Sequence, residues 1–206
     1  MVAKIFWGIL FLLCLALAVK MSCDIKKLKS THDDLKKESR LYMQRENILL
    51  YNGLLQFVYN SSEVADCVLS DADGNQYMLS ELVDTKPKLI IRISSLHCSS
   101  CVAHLLDELK KKNDLILEGR VLMIGAFENK RVFQAFKKTN GINVPFYYVN
   151  VYNEQENALG NENLPCLYLL DERMKIENLF IPIKELPDYT GKYFDIMTSR
   201  FLMADI

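Results

Sequence analysis

Cys98-Ser99-Ser100-Cys101 joins an apolar run, Leu89-Ile90-Ile91-Arg92-Ile93, to a helix-like stretch, Val102-Ala103-His104-Leu105-Leu106-Asp107-Glu108-Leu109. A cysteine pair at this spacing, between a buried strand and a helix start, can form and break a disulfide reversibly. The unpaired amides and dipole of a helix N-terminus favour a thiolate and lower the first cysteine's pKa from its free value of roughly 8.5. Cys98 is therefore the candidate nucleophile. Cys101, one turn further on, can attack a mixed disulfide on Cys98 and release the partner, which makes it the resolving thiol. His97, if protonated, would favour the Cys98 thiolate and make the disulfide more oxidising; the alternative is a solvent-facing histidine of small effect.

The remaining cysteines, Cys14, Cys23, Cys67 and Cys166, form no second close pair. A disulfide scaffold would be denser, and His32, His97 and His104 are not spaced to complete a zinc site, so no metal and no bound cofactor is expected. Cys67 and Cys166 read as small buried hydrophobes, with a third redox thiol as the alternative for Cys166. The chain has 206 residues, half of them hydrophobic, and a formal net charge of −1. That is enough for one well-buried domain plus an appendage, and the charge gives no reason to expect nucleic acid.

Residues Ile5 to Val19 carry no charge and are flanked by Lys4 and Lys20. This run is short of the ~20 residues of a spanning helix and long for a signal-peptide core. An uncleaved membrane anchor over residues 1–22 is expected, with a lipoprotein processed at Cys23 or a secreted form as alternatives. The lysines after the run (Lys20, Lys26, Lys27, Lys29) favour a cytoplasmic body by the positive-inside rule. Export of the bulk of the chain and the usual place of disulfide chemistry favour the extracytoplasmic side, which is the expectation adopted.

Residues 23–62 read as a helical spacer. Leu28, Leu35, Tyr42 and Leu49 recur every seven residues, whereas Ile25 is followed at that spacing by His32 and Ser39, a poor second seam for a coiled coil. Over residues 63–206 the signals alternate. Val64–Leu69 and Gln76–Leu79 predict a hairpin turned at Asp73-Gly74, and Ser80–Asp84 a short helix. Strands are predicted at 88–94, 120–127, 146–151, 166–170 and 175–181, with helices at 98–113, 129–139 and 187–201. The alternation predicts an α/β layered domain with a largely parallel sheet and an antiparallel hairpin of the last two strands at its edge.

With these elements placed, the region from about Val64 to the C-terminus resembles the thioredoxin fold, and within it the membrane-anchored TlpA/ResA group of extracytoplasmic thiol–disulfide oxidoreductases. The residues that carry the resemblance are the leading hairpin with Asp73-Gly74, Cys98 and Cys101 after their strand, Val121-Leu122-Met123-Ile124-Gly125, the inserted Val144-Pro145-Phe146 strand, and Leu164-Pro165 before Cys166. It implies a thioredoxin-like three-layer fold with an N-terminal β-hairpin and an inserted strand. It also implies a cis-proline at Pro165 facing the cysteine pair, with Leu164, Pro165 and His97 contacting a substrate chain. The implied partners are protein thiols and disulfides, with a membrane electron donor recharging the pair. The chain departs from the family at His97 (usually Trp), at Ser99-Ser100, at Cys166 (usually Thr) and at Met174 (usually Gly).

Two other functions fit parts of the pattern. A peroxiredoxin-like peroxidase shares the hairpin and inserted strand, but Ile91 stands where that site carries proline. A thioredoxin-like binding or assembly module would use the fold without redox turnover.

Overall fold

The computed structural model describes residues 2–83, 86–112, 119–150, 164–182 and 184–202. Asp84, Asn113, Val151 and Asn163 lie outside the described residues, as does the side chain of Cys14. The chain divides into two compact units, Met1–Ile48 and Leu49–Ile206.

Helix α1 spans Val2–Tyr59, consistent with a stretch that contains no proline. Apolar run and spacer thus form one helix. No described helix is long and apolar enough to cross a membrane. In the first unit the side chains of Met21, Ile25, Leu28, Leu35 and Tyr42 are exposed.

The second unit begins earlier than the boundary at 62/63 read from sequence, because the last turns of α1 pack on the domain. Leu55 and Asn52 are both 7 % exposed. The Asn52 carboxamide accepts from the Ile181 N–H at 2.9 Å and donates to its carbonyl at 3.4 Å, while Asn60 Oδ1 accepts from the Leu179 N–H at 3.2 Å. These bonds satisfy backbone groups on and beside an edge strand that would otherwise be open to pairing with another chain.

The strands are β1 (Val68–Ser70), β2 (Gln76–Met78), β3 (Lys88–Ser94), β4 (Val121–Phe127), β5 (Phe146–Asn150), β6 (Cys166–Leu170) and β7 (Ile176–Phe180). Between them lie helices α2 (Leu79–Val83), α3 (Ser99–Lys110) and α4 (Lys130–Asn140), and α5 (Pro187–Met197) follows β7. A π-helical turn, Thr198–Leu202, ends the described chain. The described strands form one sheet in the order β2-β1-β5-β4-β3-β6-β7.

Only β3–β4 and β4–β5 pair in parallel, and the other pairings among the described strands are antiparallel. This corrects the expectation of a largely parallel sheet. Two-stranded hairpins with short turns are necessarily antiparallel, and both edges of this sheet are hairpins. The expected hairpin strands are also shorter: Val64–Cys67 lies outside β1, and Leu79 opens α2.

Alternation along the strands builds two cores. Leu89, Ile91, Ile93, Met123, Leu167 and Leu169 pack with Leu105, Phe133 and Phe194 of α3, α4 and α5. Ile90, Leu122, Ile124, Tyr168 and Leu170 pack with Leu55 of α1 and Leu79 and Val83 of α2. Helices on both faces explain why β3, β4 and β6 read as nearly continuous apolar runs. Gly125 sits where the Phe127 and Phe146 rings meet; a Cβ there would lie 2.5 Å and 2.7 Å from their carbons.

Three turns fix the strand ends. In the first, Asp71 Oδ1 accepts from the amides of Asp73, Gly74 and Asn75, and Gly74 has φ +101°. In the second, Asp171 Oδ1 accepts from Arg173 and Lys175, and Met174 takes the left-handed conformation with φ +59°. At the C-terminus of α4, Gly141 has φ +60°.

Candidate active site

Strand β3 delivers the chain to the end of the sheet, where Ser94 organises the approach to the cysteines. The Ser94 N–H donates to His97 Nδ1 at 3.0 Å, the His97 N–H donates to the Ser94 carbonyl at 3.1 Å, and Ser94 Oγ accepts from the Leu96 N–H at 3.2 Å. Cys98 is the N-cap of α3, its carbonyl accepting from the amides of Cys101 and Val102, each at 3.1 Å. Four buried residues, Val102, Leu105, Leu106 and Leu109, anchor the inner face of α3. They hold the helix start fixed against the sheet.

The two cysteines stand in different surroundings. Cys98 is exposed, and its sulfur lies 3.1 Å from Ser100 Oγ. Its side chain makes no capping hydrogen bond. Even so, the Ser100 hydroxyl, followed by the amide and thiol of Cys101, lowers the Cys98 pKa to about 7. Cys101 is half-buried, and burial, then its contact with Cys98, raises its pKa. The Lys184 N–H, directed at the Cys101 sulfur, works against that rise, and the Glu185 carboxylate adds to it. Both cysteines are free thiols.

Sequence reasoning placed these two thiols but missed Ser100 as the first cause of the Cys98 shift, and the Lys184-Glu185 turn beside Cys101. Ser100 was legible from its spacing. The turn was not, because only the tertiary fold brings it to α3. Glu128 Oε1 accepts from Ser95 Oγ at 3.0 Å.

His97 corrects both readings of it. The ring is buried, 8 % exposed, and burial together with the Arg92 charge lowers its pKa to about 3. It is neutral at physiological pH and turned inward, so it neither supplies a positive charge to Cys98 nor presents its ring at the open surface. An imidazolium there would lose its hydration and lie near a cation, which is why the neutral form wins.

Arg92 of β3 pairs with Cys166 of β6, which sets Leu164 and Pro165 at the end of the sheet where the cysteine pair emerges. Pro165 is buried and Leu164 half-buried against the α1/α2 core. Every peptide bond among the described residues is trans, Leu164–Pro165 included, contrary to the cis expectation. Trans is the lower-energy isomer of an X–Pro bond by roughly 0.5–1 kcal/mol. Cys166 is 2 % exposed, a buried thiol in the α1/α2 core. Among the described residues no cluster of side chains could hold a metal ion.

This arrangement resembles known structures in fold. A peroxidoxin, BcpB, from Mycobacterium tuberculosis aligns over 68 % of this chain and 97 % of its own, at 14 % identity and a TM-score of 0.50. A proposed protein disulfide isomerase from Bacteroides thetaiotaomicron aligns over 68 % of this chain and 91 % of its own, at 19 % identity and a TM-score of 0.50. No protein-family model and no curated protein matches the chain. The fold is thioredoxin-like α/β, with helices on both faces of a mixed sheet.

Proposed function

We propose that this protein is a thiol–disulfide oxidoreductase that exchanges disulfides with exported proteins through Cys98 and Cys101, acting as a reductant outside the cytoplasm. The observation that carries this reading is the asymmetry of the thiols at the start of α3. An exposed sulfur with a pKa of about 7 precedes a half-buried sulfur whose pKa is raised.

The chemistry follows from that asymmetry. The Cys98 thiolate attacks one sulfur of the partner's disulfide, and the partner's other sulfur leaves as a thiolate. Cys101 loses its proton and attacks the Cys98 sulfur, releasing the partner's second thiolate and leaving the Cys98–Cys101 disulfide. Two electrons have passed to the partner. A membrane electron donor is the proposed source of the two that restore the pair.

Retention at a membrane by residues 1–22 is supported by the uncharged Ile5–Val19 run flanked by lysines. The mass of the chain isolated from cells separates the forms: full length for an anchor, a lipid on Cys23 for a lipoprotein, a shortened chain for secretion.

Reduction of a disulfide-bridged peptide by dithiothreitol with the protein as catalyst tests the reading. Catalysis is expected to vanish in Cys98→Ala, and Cys101→Ser is expected to accumulate a mixed disulfide on Cys98. Catalysis undiminished in Cys98→Ala would leave a binding or assembly module. Hydrogen-peroxide turnover with no peptide reduction would favour a peroxidase.

A further inference from the structure

Beside the cysteine pair, between the first turns of α3 and helix α4, lies a pocket of about 330 Å³. Val102, Ala103, Phe127, Val132 and Phe136 form its apolar walls, and its remaining lining groups are serines, an asparagine and His97. Among the described residues, no side chain that would carry a charge at neutral pH lines it, since burial keeps His97 neutral. An apolar cavity of roughly 150 Å³ suffices for benzene, so this one has room for a ring.

His97 gives the pocket a polar anchor. Its Nδ1 accepts from the Ser94 N–H, which places the ring proton on Nε2. The ring is more than nine-tenths buried, and its Nε2–H makes no hydrogen bond among the described residues. The Nε2–H is not sealed from solvent, so a ligand carbonyl in the pocket can accept from it in place of water. Ser99, on the same wall, follows Cys98 directly, so a chain joined to Cys98 by a disulfide has its neighbouring residues within reach of the pocket.

We propose that this pocket is a specificity site for the substrate polypeptide. It takes an uncharged, ring-sized apolar side chain a residue or two from the substrate cysteine, while a main-chain carbonyl of the same segment accepts from His97 Nε2–H. The inference rests on the oxidoreductase reading for its polypeptide occupant. It predicts a preference for cysteines flanked by aromatic or large aliphatic residues.

The test uses the full chain carrying Cys101→Ser and two disulfide-bridged glycine peptides, one with a phenylalanine two residues from its cysteine. Capture is the attack of the Cys98 thiolate on the peptide disulfide, with the peptide's other half leaving as a thiolate. The phenylalanine peptide is expected to be captured about tenfold faster, a ratio typical of an apolar pocket. Val132→Glu, which places a charge at the partly exposed wall, is expected to bring the ratio to within about twofold. A ratio near one in the parent chain, or a high ratio untouched by Val132→Glu, overturns the proposal. A second measurement does not depend on exchange. Nitrogen-15 spectra of His97, titrated with the phenylalanine peptide carrying serine for cysteine, are expected to show Nε2–H moving downfield. If neither peptide is captured, the oxidoreductase reading fails. The spectra then decide the pocket alone: a shift supports it, and no shift overturns it.

Discussion

At the scale of single residues, reactivity depends on what surrounds Cys98. With a pKa of about 7, its thiolate forms as pH rises through neutrality, so alkylation should accelerate through that range and level off above it. Ser100→Ala removes the first cause of the lowering. Its alkylation midpoint should move upward and its rate at pH 7 fall several-fold, as pH-dependent trapping with iodoacetamide would show. An unmoved midpoint would assign the lowering to the helix start alone.

His97 makes a separate expectation. Its folded pKa of about 3 lies below the unfolded value near 6.5. Below pH 6.5 the unfolded chain binds the extra proton and the folded chain does not. Stability from this group is therefore whole above that pH and is lost as pH falls toward 3, by up to about 1.4 kcal/mol per unit. Denaturant unfolding of the parent chain and His97→Gln at pH 7, 6 and 5 should show the acid slope shrinking in the variant. At this scale the placement of Cys98 and Cys101 at the start of α3 was legible in the sequence. The inward turn of His97 was not, because a histidine before a helix start reads the same whether its ring meets water or the Ser94 amide.

At the scale of elements, local signals were strong where chemistry is local. The helix expected over 129–139 is α4, bracketed by Asn129 and Gly141: Asn129 Oδ1 accepts from the Val132 N–H at 3.0 Å, and Gly141 adopts the left-handed cap. Asn129→Ala should cost about 1 kcal/mol in thermal or denaturant unfolding. Phe133 is fully buried, but Val132 is 39 % exposed, since neighbouring residues on a helix cannot both face the sheet.

The β6–β7 turn carries the cost of the missing glycine. Met174 holds a left-handed conformation that costs a side-chain-bearing residue roughly 1–2 kcal/mol. Met174→Gly should therefore stabilise the domain by about 1 kcal/mol, partly offset by glycine's greater freedom when unfolded. Gly125→Ala should destabilise by roughly 1–3 kcal/mol, because its methyl group would displace the Phe127 and Phe146 rings.

At the scale of the whole molecule, the alternation of strand-like and helix-like segments makes the layered domain legible in the sequence itself. Sheet order and the antiparallel return of β6 are not legible there, since they depend on contacts between distant segments. The boundary of the domain is hidden for the same reason. Charged helical sequence looks uniform through residue 59, and only the burial of Asn52 and Leu55 shows that the end of α1 belongs to the core. A chain beginning at Leu49 should unfold at the same temperature as the parent's α/β domain, whereas one beginning at Glu63 should melt lower. Equal melting of the two shortened chains would mean that the end of α1 adds nothing to stability.

The central claim is that Cys98 and Cys101 form a reversible redox pair suited to reducing other proteins. Its most direct test is the reduction potential of that pair, measured by equilibration with dithiothreitol buffers and thiol trapping. A Cys98 pKa of about 7 matches the thioredoxin value, so a reversible midpoint near about −270 mV is expected. A midpoint near about −120 mV would contradict the reductant direction, and a pair that shows no reversible exchange would contradict the oxidoreductase reading itself.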